Sequence, residues 1–203
     1  MYTRPDNFPP IVKNLIIINV LVFVAGMLLE GQFDLINEFA LRPIGAGFLP
    51  YQLATHMFTH AGVMHILFNM FGLWMFGKTL ENVWGPKRFL LFYFICGVGA
   101  AVTHLAVQYF MGGGAPAVGA SGAVMGILVA FAYLFPNTEL FIMLIPIPVK
   151  AKWAVLGMVL YDLVGGVGQV SGDNIAHFAH LGGAVTGFIL VLIWNKSNRR
   201  RFY

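Results

Sequence analysis

Long apolar runs separated by short polar breaks organise this chain. Six stretches read as transmembrane helices: roughly 12–29, 62–80, 87–110, 121–135, 152–167 and 175–194. A helix needs about 20 residues to cross about 30 Å of hydrocarbon. The fourth run is short: it begins in glycine-rich sequence and stops at Leu134-Phe135-Pro136-Asn137, which sets its start below the membrane surface. The connection between the first two runs, about 30–61, is long and mixes Phe33, Leu35, Ile36, Phe39 and Phe48 with few charges. Such a loop is expected to carry short helices and to lie partly in the membrane interface. The pattern therefore predicts an all-α membrane protein: a single domain over residues 1–203, built as a six-transmembrane-helix bundle with a long, partly membrane-embedded first outer loop.

Composition supports the membrane assignment. Of 203 residues, 59% are hydrophobic and 10% charged, against about 25% charged in soluble domains. The 24 glycines suit helices that pack closely in lipid. The lone Cys96 has no internal disulfide partner and reads as a packing residue. No small-residue cleavage site follows the first run, which is read as a span and not a signal peptide.

Charge then orients the bundle. Six spans put both termini and the second and fourth connections on one side. That side carries Arg4, Lys13, Lys78, Lys87, Arg88, Lys150, Lys152, Lys196, Arg199, Arg200 and Arg201, and the other carries only Arg42. The positive-inside rule makes the basic side, with both termini, cytoplasmic. The basic pI is thus topogenic, with the lipid bilayer as its partner. Nucleic-acid binding is not expected, since Arg199-Arg200-Arg201 is short and abuts a helix end.

Polar groups inside lipid are costly and default to functional hypotheses. The fourth span opens with Gly119-Ala120-Ser121-Gly122-Ala123. Ser121 sits at a helix N-terminus, where free backbone N–H groups favour negative charge. Small residues at this start also serve close helix packing. The sixth span holds His180 about five residues in, roughly 8 Å deep, and Gly183 and Gly187 form a G-x-x-x-G packing face that His180 shares. If that face meets the fourth span, His180 meets Ser121, a nucleophile and its base. The second span begins with His65 and Asn69, spaced i, i+4 on one face, two side-chain donors suited to an oxyanion hole. His56 and His60 are expected to pin the first loop. Asp162, in the fifth span, is left outside the site, giving a Ser–His pair oriented by packing alone. The outer half of the fifth span and the loop 168–174 are expected to gate the site against the second span.

At these residues the chain resembles the rhomboid family of intramembrane serine proteases, in the minimal six-helix bacterial-type form. The match is Gly119-x-Ser121-Gly122, His65-x-x-x-Asn69 and Ala176-His177-x-x-His180-x-x-Gly183-x-x-x-Gly187, in this order on the second, fourth and sixth spans. The resemblance implies Ser121 as nucleophile, His180 as general base, and His65, Asn69 and the Ser121 backbone N–H as oxyanion donors. It implies transmembrane protein substrates, cleaved near the outer surface by a site opening to that side, with no metal or cofactor. It implies a multi-pass protein of a bacterial inner membrane. Tyr51-Gln52 stands where many relatives carry Trp-Arg, and Met125 where many carry an aromatic residue. The rival expectations are a catalytically silent rhomboid-like protein that binds transmembrane helices and, from the six histidines, a haem or metal membrane protein.

Overall fold

The computed structural model describes residues 5–111, 115–141, 147–168 and 177–198. Helix α1, Pro10–Leu28, opens the chain. The first loop carries two short helices, α2 (Leu35–Phe39) and α3 (Gln52–Thr55), and a 3-10 turn at His56–Phe58. The second long helical segment is composite: α4 (Val63–Gly72), a π-turn at Leu73–Gly77 and α5 (Lys78–Trp84). Then come α6 (Pro86–Met111), α7 (Ser121–Leu134), α8 (Ala151–Gly168) and α9 (His177–Asn198). Pro10–Leu28, Pro86–Met111 and His177–Lys196 are long and apolar enough to cross a membrane by length and composition.

The all-α expectation needs one correction. Glu139–Phe141 (β1) pairs antiparallel with Pro148–Lys150 (β2) between α7 and α8. Leu140 and Val149 share the inner face, and Glu139 stands opposite Lys150. An alternating three-residue strand is too short to leave a periodic signal in sequence.

Helix α7 is the centre of the bundle. Ten of its fourteen residues are buried, and at 1.5 Å per residue it is only about 21 Å long. It is uniformly small or apolar because α6 and α9 both lean on it. Gly126 faces Cys96 of α6 and the Gly183 carbonyl of α9, and Gly122 faces Ala100 and the Ala179 carbonyl. Helix α1, by contrast, buries only Val12, Leu15 and Asn19 and turns Ile17, Leu21 and Val24 outward. That is the distribution of a peripheral helix facing lipid. Its N-terminus has no side-chain cap of its own. The buried Glu81 of α5 supplies one, accepting from Ile11 N–H at 2.9 Å and Val12 N–H at 2.8 Å. A carboxylate there satisfies two orphan donors and complements the helix dipole.

The π-turn lies where α5 approaches its neighbours. A Cβ on Gly77 would stand 3.0 Å from Phe89, and one on Gly72 would stand 3.0 Å from Val124. The basic end of the bundle carries an aromatic group, with Trp84, Phe92 and Trp194 in mutual ring contact and Arg88 4.4 Å over Trp194. Tryptophan beside arginine is the side-chain chemistry of a membrane–water interface.

Candidate active site

The site lies at one end of the α7–α9 contact. A Cβ on Gly183 would collide with the Gly122 carbonyl oxygen, and one on Gly187 would stand 2.7 Å from Gly126 Cα. Missing side chains therefore set the distance between the two backbones. Continuing along the same contact, Ser121 is the first residue of α7 and His180 lies in the first turn of α9. His180 Nε2 stands 2.8 Å from Ser121 Oγ.

The other ring nitrogen departs from the sequence expectation. His180 Nδ1 lies 2.9 Å from Asp162 Oδ1 of α8, so a carboxylate is in direct contact with the histidine. The same oxygen lies 2.8 Å from His177 Nδ1. Asp162 is buried, 3% exposed. A carboxylate accepts and never donates when ionised, so both imidazoles carry their proton on Nδ1, and His180 Nε2 is left as the acceptor for the serine hydroxyl. Sequence neighbours on α8 gave no hint of this. The signal that could have found it is depth: Asp162 is five residues from the outer end of the fifth apolar run, 152–167, and His180 five into the sixth, 175–194, about 8 Å each.

On the opposite side, His65 and Asn69 of α4 lean over Gly119. A Cβ built there would stand 2.6 Å from His65 Nε2 and 3.6 Å from Asn69 Nδ2. Gly119 also has φ +111°, a conformation open essentially to glycine alone. Both constraints fall two residues before Ser121 and account for the first glycine of the serine motif. Asn69 Nδ2 donates one bond to His65 O at 3.0 Å, within its own helix, which fixes the amide. The His60 ring meets the His65 ring edge-on at 5.1 Å.

The first loop holds this side in place. Gly119 N–H donates to His56 O at 2.8 Å, and Leu41 and Ala117 exchange N–H···O bonds at 2.8 and 2.9 Å. His56 Nδ1 bonds Gln52 O at 2.8 Å. Burial pushes the His56 and His60 imidazoles down to about 4, so both are neutral near pH 7. Met125 is buried in the core beneath. Residues 169–176, and with them most of the expected gate loop 168–174 and Ala176 of the motif, lie outside the described residues.

Comparison with known proteins decides the family. Residues 49–197 match the model of the rhomboid domain. The chain belongs to the rhomboid family. It is 31% identical over 192 residues to the presenilin-associated rhomboid-like protein A, mitochondrial, of Danio rerio, covering 91% of this chain and 49% of that protein. It is 31% identical to the RHOMBOID-like protein 12, mitochondrial, of Arabidopsis thaliana over 210 residues, covering 95% and 60%. It is 30% identical to the presenilin-associated rhomboid-like protein, mitochondrial, of Homo sapiens over 192 residues, covering 91% and 50%. The chain spans about half the length of these animal relatives. Membership makes it a multi-pass, mostly helical membrane protein of the rhomboid protease family, and the rhomboid domain implies a six-helix membrane core. These relatives are mitochondrial, so the comparison does not single out the bacterial minimal form.

Proposed function

We propose that this rhomboid domain is an intramembrane serine endopeptidase that hydrolyses peptide bonds in or near the transmembrane helices of other membrane proteins. The observation that carries the reading is the 2.8 Å contact between Ser121 Oγ, at a helix N-terminus, and His180 Nε2 on a neighbouring helix. Ser121 Oγ attacks the scissile carbonyl carbon while His180 Nε2 takes its proton. His180 then returns that proton to the leaving amine. A water molecule, activated by the same imidazole, hydrolyses the acyl-enzyme and restores Ser121. The negative charge on the carbonyl oxygen falls to His65, Asn69 and the Ser121 N–H, the last left free by its place in the first turn.

The family resemblance implies the substrates: transmembrane helices, cleaved near the outer surface at a small residue beside helix-destabilising sequence. A peptide carbonyl in an intact helix is hydrogen-bonded, so the scissile segment must unwind. We assign the chain to the bacterial inner membrane as a six-helix rhomboid domain. The eleven basic residues of one side, with both termini, are cytoplasmic and the site opens outward.

Incubation with a panel of single-span membrane proteins in detergent, comparing the chain with Ser121→Ala and His180→Ala, tests the reading. Both variants are expected to be inactive, because the pair acts as a unit. Cleavage by Ser121→Ala above about one per cent of the parent rate removes Ser121 from the mechanism. A parent chain that retains single-span proteins without cleaving them or reacting with a fluorophosphonate is instead a silent helix-binding protein.

A further inference from the structure

A pair mechanism leaves the contacts of Asp162 unused. This carboxylate sits on a helix that otherwise offers little to the site. Leu163, Val164 and Val167, on the outer half of α8, are all exposed. The described positions that meet the first turn of α9 are Asp162, two glycines and Tyr161, whose ring meets the His177 ring edge-on at 5.7 Å. A Cβ on Gly165 would collide with the His177 ring, and one on Gly166 would stand 3.1 Å from Phe178 Cζ. The α8–α9 contact at this depth is thus built around one carboxylate, with side chains removed beside it so that the first turn of α9 can come close. A buried carboxylate without compensation is costly, and more so in a membrane. Both histidine contacts fall on one of its oxygens, Oδ1, at 2.8 and 2.9 Å.

We propose that Asp162 is a positioning residue for His180, and that His177 fixes Asp162 by donating to the same oxygen. The proposal rests on the serine-protease reading above. The Ser121 proton has somewhere to go only if His180 Nε2 is unprotonated. A carboxylate facing Nδ1 enforces that tautomer, because it accepts and does not donate. Once Nε2 has taken the serine proton, the imidazolium lies 2.9 Å from a negative charge in a poorly solvated site, where the pair is favoured far more than in water. His177 is three residues before His180, so both rings face α8 from one side of α9. Its N–H occupies one lone pair of Oδ1 and holds the carboxylate against rotation, leaving the other lone pair aimed at His180.

A purely structural role, stapling α8 to α9, predicts something else. It would change stability and the admission of a transmembrane substrate, and leave the reactivity of Ser121 toward a small probe untouched. The test therefore uses the full chain in detergent with two readouts: fluorophosphonate labelling of Ser121, and kcat and KM for a single-span substrate. Ser121→Ala and His180→Ala should fail both. Activity in Ser121→Ala refutes the protease reading itself, a failure distinct from that of the present proposal.

Asp162→Asn should slow labelling and kcat by the same factor, about 10²–10⁴, the upper end being the effect of the same change in a soluble triad. KM should stay unchanged. His177→Leu should slow both by about tenfold, as expected of a group that only orients another. His177→Asn, whose amide N–H stands where Nδ1–H stood, should recover most of that loss. Asp162→Asn combined with His177→Leu should be no slower than Asp162→Asn alone, since both act through one oxygen. Wild-type labelling by Asp162→Asn overturns the proposal. Should that variant fail to fold by gel filtration, the His177 variants decide: wild-type labelling by His177→Leu, or no recovery in His177→Asn, overturns it.

Discussion

Replacing Gly183 with alanine asks whether chemistry depends on the backbone distance between α7 and α9. The added Cβ would collide with the Gly122 carbonyl oxygen and stand 2.7 Å from its carbon, where ordinary contact begins at 3.4 Å. The obstructing atoms are backbone, so no side chain can yield by changing rotamer. Helix α9 must retreat by at least the difference, 0.7 Å. The Ser121–His180 contact spans the same pair of helices one turn away, and its 2.8 Å would open to at least about 3.5 Å, past the range of a useful hydrogen bond. A misplacement of about 1 Å can cost about 10² in rate. Overpacking a core costs about 1–3 kcal/mol, and the better helix propensity of alanine returns up to about 1 kcal/mol, so the variant should still fold. The assay is single-span substrate cleavage in detergent, with gel filtration to verify folding. The expected result is kcat down about 10²-fold at little change in KM. Gly187→Ala meets Gly126 Cα at 2.7 Å but lies a turn further from the serine, so it should lose less. Gly157→Ala, which meets nothing within 4 Å, should match the parent. A folded Gly183→Ala protein with parental kcat would refute the idea that this contact sets the reacting distance.

Two further outcomes follow. His65→Ala and Asn69→Ala should each lower kcat by about 10²–10³ if each supplies an oxyanion donor; parental rates in both would move the oxyanion hole elsewhere. The first loop should loosen in acid. His56 and His60 are held at about 4, below the ordinary 6.5, because burial penalises their charged forms. The folded loop therefore binds fewer protons than the unfolded one. The stabilisation is complete above about pH 6.5 and is lost as pH falls toward 4, amounting to about 2 kcal/mol per histidine at pH 5. Hydrogen exchange over residues 30–61 at pH 7 and pH 5 measures it, and equal protection at the two values contradicts the burial argument.

The helical membrane character could be read from sequence because lipid demands long apolar runs, and these are local. The residues that meet across α7 and α9 were also readable, for a local reason: Gly183 and Gly187 mark one face, and His180 is on it. Asp162 was not legible, because its partners lie 15 and 18 residues away on the next helix, and periodicity says nothing about which way one helix faces another. Depth from the membrane surface is the sequence property that would have related it to His180. The hairpin β1–β2 escaped for want of length. The π-turn escaped because Leu73-Trp74-Met75-Phe76-Gly77 carries no residue that signals an extra residue per turn.

The first loop shows how a departure from the common family sequence is accommodated. Gln52 is fully buried. Its Oε1 accepts from Leu49 N–H at 3.1 Å and Arg42 N–H at 3.3 Å, and its Nε2 donates to Glu38 O at 3.2 Å. Tyr51 reaches Glu38 Oε1 at 2.6 Å. An amide can do here what a guanidinium cannot, because it accepts as well as donates. Three backbone groups from separate parts of the loop are gathered on one neutral side chain, with no buried charge to compensate. The same stretch passes its order to the site: Gln52 O holds the His56 ring, and His56 O holds Gly119 N–H, two residues before the serine. One wall of the site is thereby fixed through bonds that engage a backbone group at every step. On the α8 side, by contrast, the described contacts at the depth of the serine are side-chain ones, through Asp162 and the Tyr161 ring, beside two glycines. In the proposed mechanism the fixed wall is the one that carries Gly119 and, two residues on, Ser121, and the group that positions His180 is on the other. Perturbing the first loop should therefore misplace Gly119 and Ser121, whereas perturbing α8 acts on His180.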